Sequence, residues 1–161
     1  MNNLLIALGL CAWLIAQSVA AETSTTGLSA SDIHQIKELT QGEVRAWLAR
    51  DWAAFAVQYA DECILYPPNA PAIQGKAAIR AWIETFPPIT GVTTTIVTMD
   101  GRGDLAYVVG TYTMTFIASS GEPPKKDIGK YVEIRRRQAD GRWLLIVDIF
   151  NSDLPAMAPS K

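Results

Sequence analysis

Side chains that bind soft metals or act as nucleophiles are scarce in this chain. Among 161 residues there is one histidine, His34, and there are two cysteines. A His/Cys metal site takes three or four such ligands, so the composition argues strongly against one. A carboxylate-only metal site would need an acidic loop with ligand spacing, and none is present. A Gly-rich phosphate loop is missing, and so is the Gly-x-Ser-x-Gly elbow of serine hydrolases. Charge of one sign is also lacking: 14 Lys and Arg face 16 Asp and Glu, a net of -2. With no basic stripe, nucleic acid is not an expected partner. The one basic run, Arg135-Arg136-Arg137, would be split between two faces by strand alternation and reads as solvated strand-end charge. His34, near the start of a helical pattern, reads as a solvated or capping residue. No internal period marks a repeat architecture.

The first residues are of a different material. Met1-Asn2-Asn3 carries no Lys or Arg, yet Leu4 to Ala16 is almost wholly apolar and Ser18-Val19-Ala20-Ala21 supplies small residues at a cleavage position. The run is short for a membrane span and fits a secretory signal over residues 1–21. The expected location is the periplasm or the medium, with no membrane contact after cleavage. Cys11 lies inside the apolar run, behind Leu10, where a lipid anchor is not expected. Removal of the signal leaves Cys63 alone, so no internal disulfide is available and the domain must stand on its packed core. Cys63 sits in the apolar run Cys63-Ile64-Leu65-Tyr66 and reads as a buried structural thiol.

What is abundant is apolar residue, 49% of the chain, enough for one domain with a core. Residues 22–30 are Ser/Thr-rich and read as a flexible leader. The domain is expected over 31–153 and a tail over 154–161. A helix should start near Ser31-Asp32 and carry Ile33, Ile36, Leu39, Val44, Trp47 and Leu48. Asp51 should cap a short second helix with Trp52, Phe55, Ala56 and Tyr59. Pro67, Pro68 and Pro71 enforce a loop. Ala78, Ile79, Trp82, Ile83 and Phe86 make a third helix, stopped by Pro87-Pro88. The remainder is strand-like: Thr93 to Met99, a turn at Asp100-Gly101-Arg102-Gly103, and a long strand with Ala106, Val108, Gly110, Tyr112, Met114 and Phe116 on one face. After a polar loop, Gly121 to Lys126, two more strands, Tyr131 to Arg137 and Arg142 to Asn151, join through Asp140-Gly141. Helices followed by an antiparallel sheet define the α+β class.

The last hairpin carries the chemistry. If Asp140-Gly141 is a two-residue turn, Ala139 faces Arg142, Arg135 faces Ile146, Glu133 faces Asp148 and Tyr131 faces Phe150. Directly opposed carboxylates would have Cβ atoms roughly 5 Å apart. Repulsion and desolvation would then let one of them hold a proton near neutral pH. A second reading fits the same residues. The other face, with Val132, Ile134, Trp143, Leu145, Val147 and Ile149, is the more apolar; if it packs on the helices, Glu133 and Asp148 look outward and Arg135 neutralises them. A bulged turn would shift the pairing by one residue.

Motifs along residues 31–153 resemble the nuclear transport factor 2-like superfamily, in its SnoaL-like and ketosteroid-isomerase-like branch. They are Trp47 before Asp51-Trp52, Tyr59-Ala60-Asp61-Glu62, Pro67-Pro68-Asn69, Gln74-Gly75-Lys76-Ala77-Ala78-Ile79, Asp104-Leu105-Ala106-Tyr107, Gly129-Lys130-Tyr131-Val132-Glu133, Asp140-Gly141-Arg142-Trp143 and Asp148-Ile149-Phe150-Asn151-Ser152-Asp153. The resemblance implies a curved antiparallel sheet wrapped around three N-terminal helices, a cone-shaped, cystatin-like α+β barrel with a pocket at its wide end. It also implies dimerisation through the sheet and, in many members, cofactor-free isomerisation, cyclisation, dehydration or cleavage; other members only bind. Ketosteroid isomerase uses an Asp base with a Tyr and a protonated Asp as oxyanion donors. Its base falls on Pro67, which cannot move a proton, and its Tyr falls near Glu43. Its protonated Asp falls on Glu133, and Asp148 takes a pocket-lining position.

The expectation is therefore a cofactor-independent isomerase, lyase or cyclase acting on a small, partly apolar carbonyl or aromatic compound. Asp148 would be the base and Glu133 a neutral donor. Tyr112, Tyr131, Trp47, Trp82, Phe86 and Phe150 would form the walls, Tyr112 or Tyr131 serving as a second donor. No metal or cofactor is required, and a homodimer is expected. The alternative is a non-catalytic periplasmic module that binds a small molecule in the same pocket.

Overall fold

A computed structural model describes residues 27–154. The signal, most of the leader and nearly all of the tail expected from sequence lie outside the described residues. Helix α1 spans Ala30–Ala49 and α2 Trp52–Ala56. Strand β1 (Tyr59–Tyr66) and the two-residue β2 (Ile73–Gln74) come before α3 (Lys76–Ile83). Then follow β3 (Ile89–Arg102), β4 (Leu105–Phe116), β5 (Lys125–Arg137) and β6 (Trp143–Ser152). The strands make one curved, unclosed six-stranded sheet of order β2-β1-β6-β5-β4-β3. The class is α+β as expected, with one correction of order and pairing. Strand β1 lies between α2 and α3 and runs parallel to β6, so the sheet is mixed. The helical spacing of Trp52, Phe55, Ala56 and Tyr59 hid this; α2 ends at Ala56, and Tyr59 already belongs to β1.

Local chemistry accounts for the boundaries. The α1 cap is Ser29, two residues before the expected position, and Ser29 with Asp32 forms a reciprocal capping box. Asp32 does more: it accepts from Trp143 Nε1 at 3.1 Å and pairs with Arg137 at 2.7 Å, tying the helix start to β5 and β6. Arg137 therefore works as a tether, its guanidinium 4.5 Å above the Trp143 ring. The turn between β3 and β4 is Gly103-Asp104 rather than the four residues expected, since Arg102 pairs with Leu105. Gly103 has φ +63, the conformation a two-residue hairpin asks of its first position.

The β5–β6 hairpin reaches the expected pairing by a different route. Its turn closes with Gly141 N donating to Gln138 O and Gln138 N donating to Arg142 O, so Arg137 faces Trp143 and Arg135 faces Leu145, one residue off the two-residue count. A bulge at Ile146 then restores the register, and Glu133 faces Asp148 and Tyr131 faces Phe150. The bulge also puts Trp143 and Leu145 on the inner face, both fully buried, with Asp148. The helices cover this inner face. The outer face keeps the apolar rows Val109–Val132–Ile149 and Tyr107–Ile134–Val147, aligned across β4, β5 and β6.

Two buried clusters make the core. One joins Phe55, Tyr59, Cys63, Leu65, Ile79, Ile83 and Leu145; the other joins Ile36, Val108, Tyr112, Tyr131 and Trp143, and Phe150 packs against both. Burial pushes the Cys63 thiol up to about 12, which suits a structural thiol. His34 is exposed.

Candidate active site

Between α1, α3 and the inner sheet face lies a cavity whose free volume is about 700 Å³ with its open mouth included. Each element contributes through its own period. Helix α1 presents Thr40, Glu43, Val44 and Trp47 along one stripe. Trp82 and Phe86, four apart, come from α3 and the turn after it. Strands alternate, so β4 supplies Tyr112 and Met114, β5 supplies Tyr131 and Glu133, and β6 supplies Asp148 and Phe150. All eight residues singled out from sequence, Asp148, Glu133, Tyr112, Tyr131, Trp47, Trp82, Phe86 and Phe150, border this one space. Pro67 is not among its lining residues.

The two tyrosines stand over glycines. Gly110 pairs with Tyr131 and Gly129 with Tyr112 on the facing strands. A Cβ on Gly110 would come within 2.3 Å of the Tyr131 ring, and one on Gly129 within 2.6 Å of the Tyr112 ring. Only glycine leaves room for a ring to lie flat against the opposite strand there. Aromatic walls complete the mouth: Trp47 meets Phe86 edge-on at 5.2 Å, Trp82 meets Phe86 at 4.8 Å, and Phe150 stands 6.1 Å from Tyr112.

The polar end is a network that sequence reasoning recovered in part. Tyr59, 1% exposed, donates its hydroxyl to Asp148 Oδ2 at 2.8 Å. Arg135, fully buried, donates from Nε and Nη2 to the same Glu133 oxygen at 2.9 and 2.6 Å. The reading of Arg135 as solvated strand-end charge is thus corrected; only Arg136 of that run points outward. Glu133 and Asp148 are 4% and 8% exposed, so they face inward. Burial first, and then the charge of Glu133, pushes the Asp148 carboxyl up to about 7; the Tyr59 hydrogen bond and Arg135 pull the other way. Glu43 lines the same space, and burial, with repulsion from Glu133 and Asp148, holds its carboxyl well above the usual range. Burial likewise raises Tyr59 and Tyr131, which stay protonated donors at neutral pH.

The two tyrosine hydroxyls differ. Tyr112 is committed to Asp127 at 2.8 Å, whereas the buried Tyr131 hydroxyl has no hydrogen-bond partner, and neither has Thr94 Oγ1 nor Arg135 Nη1. Glu133 is not placed as an oxyanion donor, because its Oε2 already accepts two N–H groups from a cation. Among the described residues no group of three or more His, Cys, Asp or Glu side chains is arranged to hold a metal ion, and no helix is long and apolar enough to cross a membrane.

A cone of helices cradled by one open sheet, with a pocket on the inner face, places the chain among nuclear transport factor 2-like, cystatin-like folds. A ketosteroid isomerase-like protein from Erwinia carotovora atroseptica SCRI1043 superposes with a TM-score of 0.70 at 17% identity, over 79% of this chain and 100% of that one. A nuclear transport factor 2-like protein of unknown function from Pseudomonas putida KT2440 gives 0.68 at 20% identity, over 83% and 99%. ActVI-ORFA from Streptomyces coelicolor gives 0.61 at 17% identity, over 75% and 96%. At these identities the likeness is one of fold. The sequence profile of the SnoaL-like domain matches residues 41–146, and the chain belongs to that family. No curated protein matches it in sequence.

Proposed function

We propose that the protein is a cofactor-independent acid–base catalyst of the isomerase, lyase or cyclase type. Its ligand would be a small, partly apolar carbonyl or aromatic compound bound in the aromatic-walled cavity. The observation that carries this reading is Asp148: a buried carboxyl at the cavity's polar end, oriented by Tyr59 and raised to about 7, where it can both take and return a proton. In the scheme Asp148 removes a proton from the carbon next to a carbonyl, and the C–H electron pair moves onto the carbonyl oxygen. Tyr131, a buried donor without a partner, then hydrogen-bonds that oxyanion. Glu133 serves as the charge beside Asp148 that keeps its proton affinity high, fixed in place by Arg135.

The test is proton exchange. The purified domain is incubated in deuterated buffer with a panel of small ketones and aryl-carbonyl compounds. Wild type should incorporate deuterium, Asp148→Asn should lose that activity, and Tyr131→Phe should lower it by about 10²-fold. Incorporation indifferent to Asp148→Asn would remove Asp148 from the reaction. Wild-type protein that binds members of the panel but exchanges none supports the other reading, a non-catalytic binding module, for which the aromatic walls suffice.

Two further inferences belong to this reading. A second copy is proposed to cover the outer sheet face, where Val132 and Ile149 are exposed in one apolar row; sedimentation of wild type against Val132→Lys checks it. The apolar run Leu4 to Ala16, followed by the small residues Ser18-Val19-Ala20-Ala21, supports export to the periplasm or medium, which N-terminal sequencing of the mature protein checks.

A further inference from the structure

Two hydroxyls on the cavity wall, that of Tyr131 on β5 and that of Thr94 on β3, are buried without a hydrogen-bond partner among the described residues. A buried hydroxyl left unpaired is a net loss to folding, since it gives up water and gains nothing in return. On β3 that loss is easily avoided. Thr93 and Thr95 are exposed, so water serves them, whereas Thr94 lines the cavity between Val92, which is buried, and Ile96, which is half-buried. Valine has the same branching at Cβ and no polar atom to satisfy. A threonine at this position is explained by a ligand that enters the cavity and meets its hydroxyl.

The register of the sheet places these hydroxyls relative to Asp148. Asp148 on β6 lies in one cross-strand row with Glu133 and Val108. Tyr131 lies in the next row, with Gly110 and Ile96, and Thr94 in the third, opposite Tyr112. The Tyr131 ring reaches from β5 across to β4, where its oxygen is 2.4 Å from the place a Cβ on Gly110 would occupy. Gly110 and Thr94 are diagonal neighbours on β4 and β3, roughly 7 Å apart. Asp148, the Tyr131 hydroxyl and Thr94 therefore follow one diagonal of the inner face, in that order, across strands about 4.8 Å apart. A ligand lying along this diagonal meets Asp148 at one end, Tyr131 near its middle and Thr94 at the other end. Tyr112 does not compete for the last contact, because Asp127 already takes its hydroxyl at 2.8 Å.

We propose that Thr94 is a specificity-determining residue, and that the ligand carries a second oxygen acceptor on the side of its carbonyl away from Asp148. The proposal rests on the reading of Asp148 as the base and Tyr131 as the donor to the carbonyl oxygen. Thr94 donates its free hydrogen to the second oxygen, that of a ketone, an ester or an ether. Hydrogen bonds of about 2.8 Å, drawn from hydroxyls roughly 7 Å apart, leave the two acceptors within a few bonds of each other. Holding the ligand at both points fixes which carbon faces β6: the proton removed is on the arm that lacks the second oxygen. A plain ketone fills the same aromatic walls but leaves Thr94 unmet, so it binds less tightly and its orientation is not set.

Binding is the readout, so the test does not wait on catalysis. Benzoylacetone and benzylacetone share a methyl ketone, a carbon chain and a phenyl ring, and differ by one oxygen at the carbon next to the ring. Titration calorimetry of the purified domain should show benzoylacetone bound about tenfold more tightly. In Thr94→Val that preference should fall to about twofold or less, whereas Thr94→Ser, which keeps the hydroxyl, should keep it. Tyr131→Phe should weaken both compounds. Thr94→Val should also unfold at the wild-type temperature or above, because valine leaves no polar atom unpaired. A preference that survives Thr94→Val overturns the proposal, and so does a wild type that shows no preference or binds neither compound. A Thr94→Val variant that melts clearly below wild type gives the hydroxyl a role in the fold and overturns it too. Deuterium exchange that depends on Asp148, alongside a preference indifferent to Thr94→Val, refutes the Thr94 contact and leaves the base intact. A preference lost in Thr94→Val, in a protein that exchanges nothing, upholds the contact and refutes the base.

Discussion

Replacing Arg135 by methionine removes the one buried cation from a cluster of carboxyls while keeping most of the side-chain volume. Arg135 is fully buried and donates two hydrogen bonds to Glu133, whose side chain is itself 5% exposed. Taking one partner from a buried ion pair leaves the other charge neither solvated nor neutralised, and such losses run to about 3–5 kcal/mol. The deficit should depend on pH, with a definite sign. Arg135 holds down the carboxyls of both Asp148 and Glu43, so its removal raises both further above their unfolded values. A folded state that binds more protons than the unfolded one loses stability as pH rises. The variant should therefore lie closest to wild type in mild acid and fall away through neutral pH. Urea unfolding at two pH values measures this. The double variant Arg135→Met, Glu133→Leu removes both charges and should return to within about 1 kcal/mol of wild type. A single-variant loss under about 1 kcal/mol at neutral pH, or a double variant as unstable as the single, would refute the account of the ion pair as a buried, mutually dependent unit.

Two other outcomes follow from the same geometry. Asp148 is raised to about 7, so it contributes stability below the usual carboxylate range and loses about 1.4 kcal/mol per pH unit as pH climbs towards that value; Asp148→Asn should abolish this slope and exceed wild type in stability above neutral pH in urea unfolding. Gly110→Ala would place a methyl 2.3 Å from the Tyr131 ring, so it should cost about 1–3 kcal/mol in the same assay and push the ring into the cavity, with the loss largely relieved when Tyr131→Ala is added.

Much of this was legible in the sequence, and where it was not the cause is physical. Helix periodicity marked α1, α2 and α3, and alternation along β4 put Ala106, Val108, Gly110 and Tyr112 inward as read. Period-2 counting through the last hairpin put Glu133 opposite Asp148, although it missed two features that cancel: a longer turn, which shifts the register by one, and the bulge at Ile146, which shifts it back. Neither leaves a local mark, since Asp-Gly serves both a two-residue turn and a longer one, and a bulge is decided by packing on both sides of the strand. Tyr59 escaped notice because its spacing from Trp52 and Phe55 is helical. What makes it part of the site is the parallel pairing of β1 with β6, a contact between segments more than eighty residues apart that no window on the sequence can contain.

The choice between the two faces of the sheet turned on another matter. By apolar count the outer face, with Val109, Val132, Ile134, Val147 and Ile149, has the better claim to the core, and the carboxylates belong outside. The reverse holds because Trp143, the largest of the fully buried side chains, and Leu145 are carried inward by the bulge, and because the buried acids are each met by a partner: Arg135 for Glu133 and Tyr59 for Asp148. Burial of a charge is decided by what meets it rather than by the hydropathy of its neighbours in sequence. The inversion has a consequence on each side. Inside, polar groups held away from water acquire the proton affinities that acid–base chemistry needs. Outside, no helix among the described residues covers the apolar rows, which a lone domain in water does not favour and a second sheet would cover.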